Sequence, residues 1–179
     1  MTIPDALVCF AHGKESGPWG IKISHLAEVA RRRGCEVVSP DYSHTHDPHA
    51  RVAQLLELAP QFRLDTGRTL VLAGSSMGGL VSAMACAALK PRALLLLAPA
   101  LYFPGYDDEP AGIPALCSVV HGWHDDIVPV DRAIRFARTN SAALHLLNSG
   151  HTLNDQLPAL ELLFDDLLRR ALADPPATA

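Results

Sequence analysis

The sequence predicts an α/β protein: about six mostly parallel strands in one sheet, with helices on both faces. Two observations carry this. Short runs of consecutive apolar residues recur along the chain, as in strands covered on both sides rather than the alternating runs of a half-solvated sheet. Between them lie longer segments with apolar residues three and four apart, and the strand-then-helix unit occurs five times, the signature of βαβ construction.

Taken in order, ALVCFA (6–11) is the first strand, and the helix over 20–33 follows with Ile23, Leu26, Ala27 and Ala30 on one face and Gly34 as its terminator. CEVVS (35–39) is the second strand. The next helical segment, 48–64, carries Val52, Leu55, Leu56 and Ala59, and Pro60 breaks or kinks it. TLVLAG (69–74) runs directly into a helix over 78–90 that stops before Pro91. ALLLLA (93–98) is followed by no helix but by the loop segment YFPGYDDEPAG (102–112), long enough to act as a lid or binding loop. ALCSVVH (115–121) precedes a short helix over 130–140. ALHLLN (143–148) precedes a last helix over 155–172, striped by Leu157, Leu160, Phe164, Leu167 and Leu168. The 179 residues predict one domain over 1–173, with a disordered tail at 174–179.

Composition excludes several functions. Hydrophobic residues make up 49% and charged residues 19%, an ordinary globular balance. A net charge of −4 with no basic stripe argues against a nucleic-acid partner. The run Arg31-Arg32-Arg33 is the densest basic stretch and reads as a solvated helix end, where cations suit the dipole. The longest apolar run, 93–101, is far too short to span a membrane, and the N-terminal stretch has no signal-peptide pattern. Cys9, Cys35, Cys86 and Cys117 are scattered, without C-x-x-C spacing, so they read as reduced, packed thiols of a cytoplasmic protein. His44 and His46 lack further ligands at metal spacing, and no metal site is read there. The sequence sets no oligomeric state.

Chemistry enters at TLVLAGSSMGGL (69–80). The turn Gly74-Ser75-Ser76-Met77-Gly78 is G-x-S-x-G between a buried strand and a helix. Spacing selects Ser76, which is centred between the glycines. The Met77 N–H, at the start of the helix, is placed to stabilise an oxyanion. The competing reading is a Gly/Ser-rich turn with an N-capping serine. A nucleophilic serine needs a base and a group to orient that base. Of the nine histidines, His12 and His121 end strands and read as turn-forming, His145 lies within a strand, His25 on a helix, His44, His46 and His49 in one loop, and His124 beside Asp125. His151, in NSGHTLND after the last strand, is the one placed to hang over the sheet edge. Asp125 and Asp126 are both candidates for the acid; their alternative role is to cap the 130–140 helix together with Asp131.

Four blocks in order resemble the α/β-hydrolase superfamily: a strand ending in His12-Gly13, the G-x-S-x-G elbow, H-G-x-x-D-x-x-V-P at 121–129, and Gly150-His151. The resemblance runs from Ala6 to the last helix and is nearest to the small cap-less bacterial esterase and dienelactone-hydrolase-like branch. It implies a minimal α/β-hydrolase fold without a cap domain, with Ser76 as nucleophile, Asp125 as acid and His151 as base. The Met77 N–H is one oxyanion donor. The N–H of Lys14 is the second, with that of Glu15 as the alternative. A serine at the elbow argues against a dehalogenase or a true dienelactone hydrolase. The activity implied is cleavage of a small-molecule ester without metal or cofactor. Glu15, Tyr102, Tyr106 and Trp123 are the candidate substrate contacts. Thioester or amide cleavage is the runner-up, and ligand binding without catalysis is the alternative from another class.

Overall fold

The computed structural model describes residues 5–64 and 67–173; the tail expected at 174–179 lies outside them. Six strands form one sheet: β1 (Ala6–Ala11), β2 (Glu36–Val38), β3 (Thr69–Ser75), β4 (Ala93–Leu97), β5 (Leu116–Gly122) and β6 (Ala143–Leu147). Their spatial order is β2-β1-β3-β4-β5-β6, and every pairing is parallel. The four inner strands are almost wholly buried, which is why their sequences are uninterrupted apolar runs. β2, at one edge, is half-buried and only three residues long, shorter than the apolar run at 35–39 suggests, because an edge strand has a partner on one side only.

The helices are α1 (Ile21–Arg32), α2 (Pro48–Leu58), α3 (Met77–Leu89), α4 (Val130–Asn140) and α5 (Leu157–Leu172). From β1 the chain steps outward to β2, returns past β1 to β3, and then proceeds in one direction. Right-handed crossovers made in opposite directions put their helices on opposite faces. Accordingly, α1 packs with α5 over one face through Ile23, Leu26, Phe164 and Leu168, while α2, α3 and α4 cover the other through Leu55, Val81 and Phe136. The rings of Phe10 in β1 and Phe164 in α5 meet edge-on, 6.0 Å apart.

Local chemistry sets the helix ends. Asp47 caps α2 by accepting from the His49 N–H at 3.0 Å, with Pro48 in the first turn, and the helix stops at Leu58, two residues before Pro60. α1 ends with the Gly34 N–H on Arg31 O and the Cys35 N–H on Ala30 O. The three arginines expected to be merely solvated each find an acid: Arg31 pairs with Glu28 on its own helix, while Arg32 reaches Glu161 at 2.5 Å and Arg33 reaches Asp165 at 2.5 Å, tying α1 to α5. Among the described residues no helix is long and apolar enough to cross a membrane.

All four cysteines are free and buried. Burial pushes the thiols of Cys9, Cys86 and Cys117 up to about 12 and raises that of Cys35. At pH 8 a thiol of that pKa is about 10⁻⁴ ionised, and the thiolate is the reactive form. The folded protein is therefore expected to be silent to a chromogenic disulfide reagent under conditions where the urea-unfolded chain releases four equivalents. Rapid reaction of any thiol without denaturant would show that the sheet opens locally at that cysteine.

Candidate active site

Reversal of chain direction opens a crevice at the carboxyl ends of β1 and β3, where the following helices leave on opposite faces; open α/β sheets bind their ligands at such a point. β3 ends at Ser75, which is buried, and Ser76 takes the turn with φ 54° and ψ −119°. That backbone is strained for any residue with a Cβ, and surrounding bonds hold it. The Ser76 N–H donates to Leu97 O at 2.9 Å, and Ser76 O accepts from the N–H groups of Gly79 and Ala100 at 2.9 Å each. Ser76 stands just before α3 but makes no side-chain cap, so its hydroxyl is directed to another task.

The flanking glycines are there for want of space. A Cβ on Gly74 would lie 2.1 Å from Gly78 O, and one on Gly78 would lie 1.9 Å from Ala11 O. The start of α3 is thus driven against the ends of both β3 and β1. Met77 is the first residue of α3, so its N–H lies outside the intrahelical ladder, at the positive end of the dipole.

His151 lies in the loop between β6 and α5, and Asp125 in the loop between β5 and α4. His151 Nε2 is 3.0 Å from Ser76 Oγ, and His151 Nδ1 is 2.8 Å from Asp125 Oδ2. A carboxylate only accepts, so Nδ1 carries the proton and Nε2 offers its lone pair to the serine hydroxyl. The two loops are stitched together by Trp123 N–H to Leu147 O at 2.9 Å and His124 N–H to Ser149 O at 3.0 Å.

Geometry separates Asp125 from Asp126. The Asp125 side chain is fully buried, while Asp126 is exposed. Asp125 Oδ1 accepts from the N–H groups of Ile127 at 2.9 Å and Val128 at 2.8 Å. Neither acid caps α4, whose N-cap is Pro129. The carboxylate is fully partnered, as a buried charge must be. One of its neighbours is His121, assigned from sequence only a turn-forming role. His121 is fully buried, with Nε2 2.9 Å from Val128 O and 3.1 Å from Asp125 Oδ2. Val128 O only accepts, so Nε2 carries the proton and donates to it, and the ring stands against the Asp125 carboxylate. Lys22 of α1 donates to Thr152 O, the residue after His151. Burial lowers its pKa, against a smaller opposing pull from Asp125.

Under the other donor candidate, His12 is buried beneath its own turn. Its Nδ1 lies 2.8 Å from Gly13 O and its Nε2 accepts the Tyr42 N–H at 2.9 Å, so the ring is the neutral Nδ1–H tautomer. Burial lowers its pKa and keeps it so. Lys14 and Glu15 are exposed, and Gly13 abuts the nucleophile turn: a Cβ there would be 3.5 Å from Ser76 Cβ.

The aromatic candidates fare differently. Tyr102 is 7% exposed, donates from its hydroxyl to Glu109 at 2.6 Å and lies under the Arg135 guanidinium at 3.7 Å, so its polar end is engaged within the 98–115 loop. Tyr106 faces the His49 ring, 5.3 Å away, in a small cavity with Val52, Leu80 and Met84. Trp123, just after β5, is 54% exposed.

A family model described as the alpha/beta hydrolase family matches residues 9–179. A candidate hydrolase of the alpha/beta superfamily from Xanthomonas campestris pv. campestris superposes with a TM-score of 0.80 at 34% identity, over 92% of this chain and 98% of its own. Est1E from Butyrivibrio proteoclasticus superposes with a TM-score of 0.82 at 18% identity, over 94% and 89%. A serine hydrolase without a lid, also from Xanthomonas campestris, gives 0.71 at 23%, over 98% and 86%. The last two show the fold alone. No curated protein matches the sequence.

The elbow makes its own prediction. Gly78→Ala is expected to fold poorly or to lose at least about 1–3 kcal/mol of stability from overpacking against backbone that cannot yield. Urea unfolding and soluble yield measure this. A variant as stable as the parent would show that α3 can back away from β1.

Proposed function

Because the chain belongs to the alpha/beta hydrolase family, we propose that it is a serine hydrolase that cleaves small esters by acyl transfer to water. The observation that carries the reading is the relay in which Ser76 Oγ lies 3.0 Å from His151 Nε2 and His151 Nδ1 lies 2.8 Å from Asp125. In the proposed reaction, His151 Nε2 takes the Ser76 proton as Oγ attacks the ester carbonyl. The N–H groups of Met77 and Lys14 receive the oxyanion, and the protonated imidazole is stabilised by the Asp125 carboxylate. The alcohol leaves with the proton from His151. Water, deprotonated by the same nitrogen, then attacks the acyl-enzyme, and Ser76 recovers its proton as the acid departs. The N–H groups of Ile127 and Val128 hold Asp125 still throughout, with the buried His121 ring packed beside it.

Substrate size follows from what surrounds the site. Six strands and five helices leave no inserted domain between β4 and β5, only the 98–115 loop. Ile21, Trp123 and Ile127 are exposed and follow strand carboxyl ends, on the side of the sheet where Ser76 lies, while the exposed Trp19 ring turns to Arg31 of α1. An open site rimmed by apolar side chains suits short acyl or aryl groups. Trp123 and Glu15 are the substrate contacts this reading keeps, with Tyr106 nearer the loop; Tyr102 would act by shaping that loop.

The test is a series of aryl esters from acetate to octanoate. Turnover is expected for the short members, and Ser76→Ala is expected to lose on the order of 10⁴-fold or more in kcat. Asp125→Asn, which leaves the wrong imidazole tautomer, is expected to lose about 10⁴-fold. Hydrolysis that survives Ser76→Ala would overturn the assignment. Failure of a fluorophosphonate to label Ser76 would turn the reading toward a binding protein.

A further inference from the structure

Arg51, on α2, is fully buried, and its guanidinium makes no ion pair with an acid among the described contacts. Its hydrogen-bonding partners are carbonyls. Nε donates to Thr45 O at 2.9 Å, and Nη1 donates to His12 O at 3.1 Å and to Gly13 O at 3.3 Å. The plane lies 5.6 Å from the Tyr42 ring, and Nη2 is buried with no protein partner. Burying a guanidinium is costly, and a leucine or methionine would pack α2 against the sheet without that cost. What arginine supplies and an apolar residue does not is a grip on two consecutive carbonyls of the turn beside Ser76.

That grip has a geometric consequence. Gly13 O is held from two sides, by Arg51 Nη1–H and by His12 Nδ1–H at 2.8 Å. No peptide among the described residues is cis. In a trans peptide the N–H points opposite to the C=O it is bonded through. With the Gly13 carbonyl drawn inward to the buried guanidinium, the Lys14 N–H is turned outward, on the turn whose Gly13 lies against Ser76. A carbonyl that accepts from a cation also polarises its amide, making the N–H a stronger donor. Among the described residues no such anchor fixes the plane between Lys14 and Glu15, whose side chains are exposed.

We infer that Arg51 is a positioning residue of the hydrolytic site: by gripping the His12 and Gly13 carbonyls it aims the N–H of Lys14, not that of Glu15, at the oxyanion. The inference rests on the serine-hydrolase reading above and adds which N–H completes the oxyanion hole and what holds it in place.

The experiment compares backbone amide spectra of ¹⁵N-labelled protein before and after phosphonylation by a fluorophosphonate, in wild type and in Arg51→Lys. Lysine keeps the charge but lacks the planar fork that spans two carbonyls. In wild type the Met77 and Lys14 amide protons are expected to move downfield on adduct formation, and that of Glu15 to stay. In Arg51→Lys, Met77 is expected to move as before and Lys14 to lose its shift. kcat per phosphonate-titrated site should fall on the order of 10- to 100-fold, with KM little changed. Titrating the sites keeps misfolded molecules out of the rate, so a merely structural role for Arg51 would leave kcat per site unaltered. Retention of the Lys14 shift and of kcat in the variant would overturn the inference while leaving the hydrolase reading standing. A wild-type spectrum in which Glu15 moves instead of Lys14 would overturn it without any variant. Failure to label Ser76 at all would remove the hydrolase reading and this inference with it.

Discussion

Between the backbone of Gly78 and the carbonyl of Ala11 there is no room for a single methyl group. The rest of the site depends on that approach. It brings the first turn of α3 under the end of β1, so the turn carrying Ser76 and the turn carrying Gly13 face each other across the crevice. The same closeness holds Ser76 in a backbone conformation that a free chain would avoid, with its hydroxyl raised clear of the sheet. Strain of this kind persists only where the neighbours over-determine it, and here β4 does so twice: it accepts the Ser76 N–H, and the residues leaving it return a donor to the Ser76 carbonyl.

The second organising element is a buried carboxylate that lacks no partner. Two backbone N–H groups take one oxygen of Asp125 and the His151 imidazole takes the other, with the His121 ring beside it. A carboxylate so held faces His151 from a fixed position. Since the loop bearing Asp125 and the loop bearing His151 also bond to one another, the two side chains are carried as one piece set against the Ser76 turn.

Much of this was legible because the sheet is buried on both sides. Runs such as LVCF in β1 and LLLL in β4 carry no periodicity to confuse, and the turn at 74–78 falls where one run ends. Ser76 is separable from Ser75 by spacing alone, since a strand residue points into the core and a turn residue does not. Asp125 and Asp126 are not separable that way, because which of two adjacent acids turns inward depends on where the next N–H groups fall. Arg51 could not be found in the sequence at all. An arginine in an amphipathic helix reads as surface, and only the fold shows that this one faces carbonyls. Tyr102 shows a different limit: an aromatic in a long loop reads as a site residue, and only the fold shows that its hydroxyl is engaged with Glu109 inside the loop.

The pairing of Phe10 with Phe164 joins the first strand to the last helix. During synthesis the sheet face lined by Val8, Phe10 and Leu95 therefore has only α1 over it until α5 has cleared the ribosome, since α5 supplies Phe164, Leu167 and Leu168 to complete the cover. All six strands are translated before α5, while part of one side of the sheet is still an open apolar surface. The nascent chain is most exposed to aggregation before α5 emerges, and a variant lacking α5 would leave the Ser76 turn intact in sequence but mounted on a half-uncovered sheet.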